Sequence, residues 1–459
     1  MAGIGFELRK LTQRGDLLGV GEAFAHSALA SAGPWIFSAI ALTAIALIGS
    51  TAVTPDEMAT FRLIVAYNFA GSLILAGPIS IILTRYLADR IFEKNVKEVP
   101  AVLAGALAML WLGGLLLALP VWFIVLKADS VTRCLAYVNF MLIASIWLVS
   151  VFLSALKNYK AITFAFGSGL SIAVIAAAVL APRFLVPGML AGLNIGFAFV
   201  LFTILARVLA EYPTSATRVL DFLPYTKKYW ELAAGAAIYS LAIWIDKVIM
   251  WSAPGTQTLP SGLISSPDYE SAMFLGYLTV VPSMAAFTVL IETGFFERYV
   301  RFYDDIRRHA CLAKIRKNQQ AISDIFNEGA CNFLVLQGSI CLTAILLAPQ
   351  ILSLFQSGSS QIAMFRLGTL GALFNAGYIF LTVVLSYFDL RRPILALHVL
   401  FLLTNVLFSY VSANAGFAFY GYGYFLSSLV AFGAAFFVTA WHLNRLPYLT
   451  FVVKNTSVA

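Results

Sequence analysis

The sequence predicts an all-α integral membrane protein of about 12 transmembrane helices in two six-helix lobes, and three observations lead there. Of its 459 residues, 61% are apolar and only 11% are charged, whereas soluble domains run near about 45–50% and about 25%. A water-soluble globule of this composition could not cover its surface with polar groups, and disorder would need the opposite balance. Charge-free windows recur along the chain, each long enough to supply the roughly 20 apolar residues that cross a bilayer. Lys and Arg collect between alternate windows, as cytoplasmic loops require.

The windows 23–55, 63–84, 99–126, 134–156, 161–182 and 184–206 give six spans. The seventh, 232–253, is interrupted by Asp246 and Lys247, and 271–291 is the eighth. In 329–365 one helix ends near Leu354 and a turn at Ser357-Gly358-Ser359-Ser360 precedes the next, which runs to Phe388. The window 393–444 holds 52 residues, room for two helices with a turn around 414–424. With the N-terminus inside, 24 of the 30 Lys and Arg fall on the inner side, Arg62, Lys127, Arg133, Arg183 and Arg366 on the outer, and Lys247 within a span. That asymmetry predicts a multi-pass protein of a bacterial inner membrane with both termini cytoplasmic.

The expected organisation is a cytoplasmic amphipathic N-terminus (1–28), a first lobe (29–206), a polar linker (207–231), a second lobe (232–441) and a cytoplasmic C-terminus (442–459). Pro213, Pro224 and Lys227-Lys228 mark the linker. Six spans return the chain to its starting side, so the second group begins in the same orientation, as in parallel repeats. Thr84-Arg85-Tyr86-Leu87 and Glu297-Arg298-Tyr299-Val300 form a short echo between the halves.

The net charge of +8 follows from inward-facing cations and does not point to nucleic acid. Cys134, Cys311, Cys331 and Cys341 show no CxxC spacing, which argues against a zinc site or a disulfide framework. The first apolar stretch is too long for a cleaved signal. His26, His309, His398 and His442 are scattered, and neither HExxH nor GxxxxGK[ST] occurs, so no metal, cofactor or ATP site is expected. The longest outer loop, 254–270, is too short for a catalytic domain, and the expectation is a transporter, not an enzyme.

The most informative site is Asp246-Lys247. A charge deep in a span costs roughly 2.5–3.5 kcal/mol on insertion scales and usually faces a bundle interior or a wet cavity. Adjacent helical positions point about 100° apart, so the two are expected to find other partners. Trp244 and Trp251 share the face of Lys247, and Tyr239 and Met250 that of Asp246. Polar heads between aromatic platforms suit a sugar path, with Trp35, Arg62 and Arg366 as further lining. The other reading is an ion pair to Arg62 or Arg366 that clasps the lobes. Gly33-Pro34, Gly77-Pro78 and Pro282 interrupt spans, as bending points of a gate or as static kinks. The segment 292–329 carries seven basic residues, with Phe295, Tyr299, Phe302, Ile306, Ala310 and Ala313 at helical spacing. It reads as an amphipathic helix on the cytoplasmic face, contacting lipid or docking a partner through Arg298, Arg301, Arg307 and Arg308.

The N-terminal run Met1-Ala2-Gly3-Ile4-Gly5-Phe6-Glu7-Leu8-Arg9-Lys10-Leu11, then Ser31-Ala32-Gly33-Pro34-Trp35 and Trp244-Ile245-Asp246-Lys247, resemble the PelG family, inner-membrane transporters of the Pel exopolysaccharide system of biofilms. In length and span count the resemblance covers the whole chain. It implies the polysaccharide branch of the flippase and multidrug-exporter superfamily, with two lobes around a central cavity lined by helices one, two, seven and eight. It further implies an amino-sugar-rich polysaccharide as cargo, a cytoplasmic glycosyltransferase and other Pel membrane subunits as partners, and cyclic di-GMP acting through a partner. The lobes would rock about 207–231, or a channel-like path would be fed by synthesis. An ion-coupled lipid-linked oligosaccharide flippase or multidrug exporter is the alternative on the same fold, and a scaffold for the synthase a further one.

Overall fold

The computed structural model describes residues 33–34, 36–155, 159–212, 218–354 and 358–453. The expected amphipathic N-terminus and Trp35 lie outside these residues. Ten helices among the described residues are long and apolar enough to cross a membrane. One of them, Ala161–Glu211, folds back on itself and so holds two spans, and Ile36–Gly49 is a shorter apolar helix. Together they agree with about 12 spans. The chain divides into two compact units that part between Pro267 and Asp268.

In the first unit, α1 (Ile36–Gly49) precedes α2 (Pro55–Phe92). Helix α2 starts at a capping box. The Thr54 hydroxyl accepts the Glu57 N–H at 3.3 Å, Glu57 Oε2 accepts the Thr54 N–H at 2.8 Å, and Pro55 takes the first helical position, where its missing N–H costs nothing. The helix continues unbroken through Gly77-Pro78 for 38 residues, unlike the interruption read from the sequence. A proline inside a membrane helix is tolerated where neighbouring groups re-satisfy the backbone. Helix α3 (Val99–Pro120) ends in a π-helical turn at Val121–Val125, and α4 (Ser130–Ala155) follows.

Helix α5 (Tyr159–Glu211) reverses at Leu185, whose φ of 52° and ψ of −129° lie between Pro182 and Pro187. Its two limbs close through small residues: a Cβ on Gly188, Gly192 or Gly196 would overlap Leu180, Ala177 or Ala173. Such i, i+4 spacing of glycine lets membrane helices approach at backbone distance. The short α6 (Leu223–Lys228) leads into α7 (Trp230–Met250), the seventh span, which packs along α2. A two-stranded antiparallel ribbon, β1 (Gln257–Thr258) with β2 (Ile264–Ser265), completes the unit. Its loop is tied down by the Lys127 N–H donating to Ser261 O at 2.8 Å and the Tyr67 hydroxyl donating to Ile264 O at 2.6 Å.

The second unit contains α8 (Pro267–Leu278), α9 (Val281–Leu290), α10 (Phe296–Arg307), α11 (Leu312–Leu346), α12 (Ala348–Leu354), α13 (Ile362–Tyr387), α14 (Arg391–Ala415), α15 (Tyr422–Asn444) and α16 (Leu446–Tyr448). Pro282 stands in the first turn of α9, and the break from α8 falls just before it. Helix α13 is the most deeply buried span, packed against α15 with Gly371 under the Tyr424 ring. Gly416 and Gly421, at φ of 102° and 97°, make the turn expected near 414–424.

The segment 292–329 differs from its expected form. It is two helices, not one surface helix. A π-helical turn at Ile291–Phe295 continues α9 directly into α10, the chain reverses through His309 at φ 54°, and α11 returns. Phe302 on α10 and Ile315 and Ile322 on α11 are buried. Phe295 and Tyr299 of the segment's apolar stripe pack on Tyr387 and Phe388 at the end of α13, so protein and not lipid covers that part of the stripe.

Candidate functional site

Helix α7 places Asp246 and Lys247 in its last turns, flanked by Trp244 and Trp251. Asp246 is 0% exposed and Lys247 9%. The ammonium lies 3.1 Å from each carboxylate oxygen of Asp246 and 3.3 Å from the carbonyl of Ile243, and it stands 5.5 Å from the centre of the Trp244 ring. Neighbours on one helix thus do pair directly, contrary to the first part of the expectation, while each also makes an interaction beyond the pair. Their Cβ atoms diverge, but the four-carbon lysine stem bends back across the gap and brings the ammonium to the carboxylate. Carboxylate, carbonyl and indole face together make a polar seat in an otherwise apolar span, and the cation gains from the ring quadrupole.

The other residues singled out in the sequence are dispersed in kind. Tyr239 and Trp244 are half-buried on α7. Arg62, on α2, is exposed and forms no ion pair among the described residues. Arg366, on α13 in the second unit, is exposed and donates to the carbonyl of Ile345 at 3.2 Å. Gly77 faces α7 closely: a Cβ there would meet Ser240 Oγ at 3.4 Å and the Ala236 carbonyl at 3.8 Å, ordinary contact distances. Near the end of the same seam Tyr67 stacks on Trp251, with ring centres 4.9 Å apart. Pro34 lines a small apolar cavity of ≈ 30 Å³ with Ser38, Phe69, Trp147, Phe166 and Phe197. Gly33 is buried.

Two polar assemblies escaped the sequence reading. In the first, Asn68 on α2 donates to Asn139 Oδ1 on α4 at 2.9 Å, and Asn139 donates to Asn194 Oδ1 on the second limb of α5 at 2.7 Å. The ends of this chain are anchored on α4 backbone, at the carbonyls of Ala136 and Leu135. In the second, α6 docks on the basic end of α2. The Tyr225 hydroxyl donates to Asp89 at 2.9 Å and that of Tyr86 to Asp221 at 3.2 Å, while Lys228 stands over the Tyr225 and Tyr229 rings. Burial, reinforced by the Asp89 carboxylate, pushes the Tyr225 phenol up to about 12. Nothing but distance along the chain hid these groups, since each looks like an isolated polar residue in sequence.

The basic hairpin of α10 and α11 rearranges the expected docking set. Arg298 donates to the carbonyl of Gly294 at 3.0 Å, Arg301 pairs with Glu297 at 3.3 Å and Arg307 with Asp304 at 2.8 Å. Asp305, buried at the elbow, accepts from Lys314 at 2.9 Å and Asn318 at 2.7 Å. No group of three or more His, Cys, Asp or Glu among the described residues could hold a metal ion.

The model of the PelG family, described as "Putative exopolysaccharide Exporter (EPS-E)", matches residues 1–451. No curated protein matches the sequence. Solved structures similar to this one include a MOP superfamily transporter from Pyrococcus furiosus Vc1 (DSM3638), at 14% identity and a TM-score of 0.66, covering 92% of this chain and 96% of that one. The outward-facing conformation of a MATE family multidrug resistance transporter of the MOP superfamily gives 14% and 0.67, covering 93% and 96%. The inward-facing conformation of such a transporter gives 14% and 0.65, covering 89% and 95%. At this identity the likeness establishes the fold.

Proposed function

The chain belongs to the PelG family, and from that premise we propose that it exports an amino-sugar-rich exopolysaccharide of the Pel type from the cytoplasm across a bacterial inner membrane. Both termini face the cytoplasm in this reading, because 24 of 30 basic residues then lie on the inner side. A cytoplasmic glycosyltransferase supplies the polymer, other Pel membrane subunits complete the assembly, and the chain makes or breaks no covalent bond.

The observation that carries the reading is the buried ion pair of α7 against Trp244. Aromatic faces give a sugar ring apolar contact while leaving its hydroxyls free. A carboxylate and an ammonium that already neutralise each other can exchange hydrogen bonds with passing hydroxyls without trapping a counter-ion. Asp246, Lys247, Trp244 and Tyr239 are the proposed path, with Gly33-Pro34 and Gly77-Pro78 as the points about which its helices flex during transport. An ion-coupled exporter on the same fold would have to displace Lys247 before a proton or sodium ion could use Asp246, which favours the uncoupled or synthesis-fed mode.

The test compares Asp246→Asn, Lys247→Met and the double variant. Removing one partner of a buried pair strands the other charge and costs about 3–5 kcal/mol, so each single variant should be depleted from the membrane. The double variant is neutral and should return to the wild-type protein level. If the pair serves transport, polymer secreted by the double variant stays low and polymer accumulates inside. Full export by the double variant would show the pair to be structural and remove the basis of this reading.

A further inference from the structure

Helix α11 is longer than a membrane needs. Its apolar part begins after Glu328, while its first half, from Leu312, is polar. Arg316 lies twelve residues before Glu328, which at 1.5 Å per residue is about 18 Å along the axis. Headgroups occupy about 5–8 Å beyond the hydrocarbon, which leaves the tip about 10 Å farther out. The screening length is about 8 Å at physiological salt, so the tip stands largely outside the field of anionic lipid. The apolar stripe of the hairpin is covered by protein, with Phe302, Ile315 and Ile322 buried and Phe295 and Tyr299 packed on Tyr387 and Phe388, so an interfacial-helix role is closed to it as well.

What the tip does expose is charge. Arg308, Arg316 and Lys317 are exposed and form no ion pair among the described residues, in contrast to Arg301, Arg307 and Lys314. The hairpin is also braced. Asp305 ties the elbow to α11, and Gln319 donates to the carbonyls of Leu443 and Asn444 at the end of α15, at 2.9 and 3.1 Å. A braced arm with an exposed, net cationic end, held clear of the bilayer, has the form of a docking post.

We propose that the tip formed by Arg308, Arg316 and Lys317 docks the acidic face of a folded cytoplasmic protein, the one that delivers the polymer. For what that partner supplies, the inference rests on the export reading above. Charge complementarity at an exposed rim governs capture and registry of a partner more than total affinity, which suits a supplier that must be positioned at the mouth of a path.

The experiment places a photo-crosslinking residue at Gln320, one turn from Arg316 and exposed, in the full chain within cells making the polymer. The expected adduct is with a cytoplasmic protein through a peptide rich in Asp and Glu. Arg308→Glu, Arg316→Glu and Lys317→Glu together should lower adduct and secreted polymer about tenfold at unchanged membrane level. Changing the acids of the crosslinked peptide to Lys should restore both. If the triple Glu variant is lost from the membrane, the triple Gln variant and the decline of wild-type adduct with rising salt are read in the same way. Adducts with lipid or nucleic acid only, or a protein adduct indifferent to these charge changes, overturn the proposal. The Asp246→Asn, Lys247→Met double variant retains the adduct whether or not it exports, so docking and transport can fail separately.

Discussion

Asn139 shows how much one polar side chain can organise inside a membrane. It accepts from Asn68 and donates to Asn194, joining α2, α4 and α5. In hydrocarbon an amide without a partner is costly, although measured contributions of such bonds average about 0.6 and reach about 1.7 kcal/mol. Asn139→Leu breaks two of them and should destabilise the protein in detergent by about 1–2 kcal/mol, read from thermal unfolding; no loss would show the chain of amides to be ornamental. Asp305 offers a second test. The hydrogen bonds from Lys314 and Asn318 hold its carboxyl below the usual carboxylate value. A value lower in the folded than in the unfolded state stabilises the elbow above about pH 3.9, and that gain is lost as pH falls through the folded value. A spin label on Cys311, with the other three cysteines replaced, should keep constant mobility from about pH 7 to 5 and loosen below about pH 4; Asp305→Asn should abolish the pH dependence. In sequence, Asp246 and Lys247 were legible as costly residues because a charge in an apolar window is local information. Their mutual pairing was not, since a Cβ direction says nothing of how far a lysine stem can bend.

At the scale of elements, the windows were legible because hydrocarbon thickness imposes a length. What the windows could not carry was the company each helix keeps. The segment 292–329 has a true 3.6-residue apolar stripe, but periodicity reports only that something covers it, and for Phe295 and Tyr299 that is the end of α13. Prolines were ambiguous for a related reason: Pro282 begins a helix, whereas Pro78 sits inside one that continues. The glycine seam of α5 gives this scale its prediction. Gly192→Ala would drive a methyl group into the backbone of Ala177 and should cost about 1–3 kcal/mol. Gly338→Ala, on α11 with open space around it, should be neutral. Equal effects of the two on thermal unfolding would show that the seam tolerates repacking.

For the whole molecule, composition established the solvent and charge asymmetry suggested the orientation, because both are sums over many residues and survive local error. The family was legible in the N-terminal run and in the tetrapeptide around Asp246, and the family model extends that likeness over residues 1–451. Solved structures at 14% identity share the architecture, as expected when a fold depends on apolar length and small-residue contacts more than on particular side chains. The candidate path was legible only at Asp246, Lys247 and their aromatic neighbours. Arg366 lies in a different compact unit from them, and Arg62 stays exposed.

An acid and a base that are consecutive in the chain meet as soon as their own helix forms. During biogenesis the insertion machinery therefore meets the membrane-deep part of α7 with its acid and base already beside each other. In the mature protein too, a turn or slide of α7 during a working cycle moves both charges together, so neither is dragged away from the other in oil.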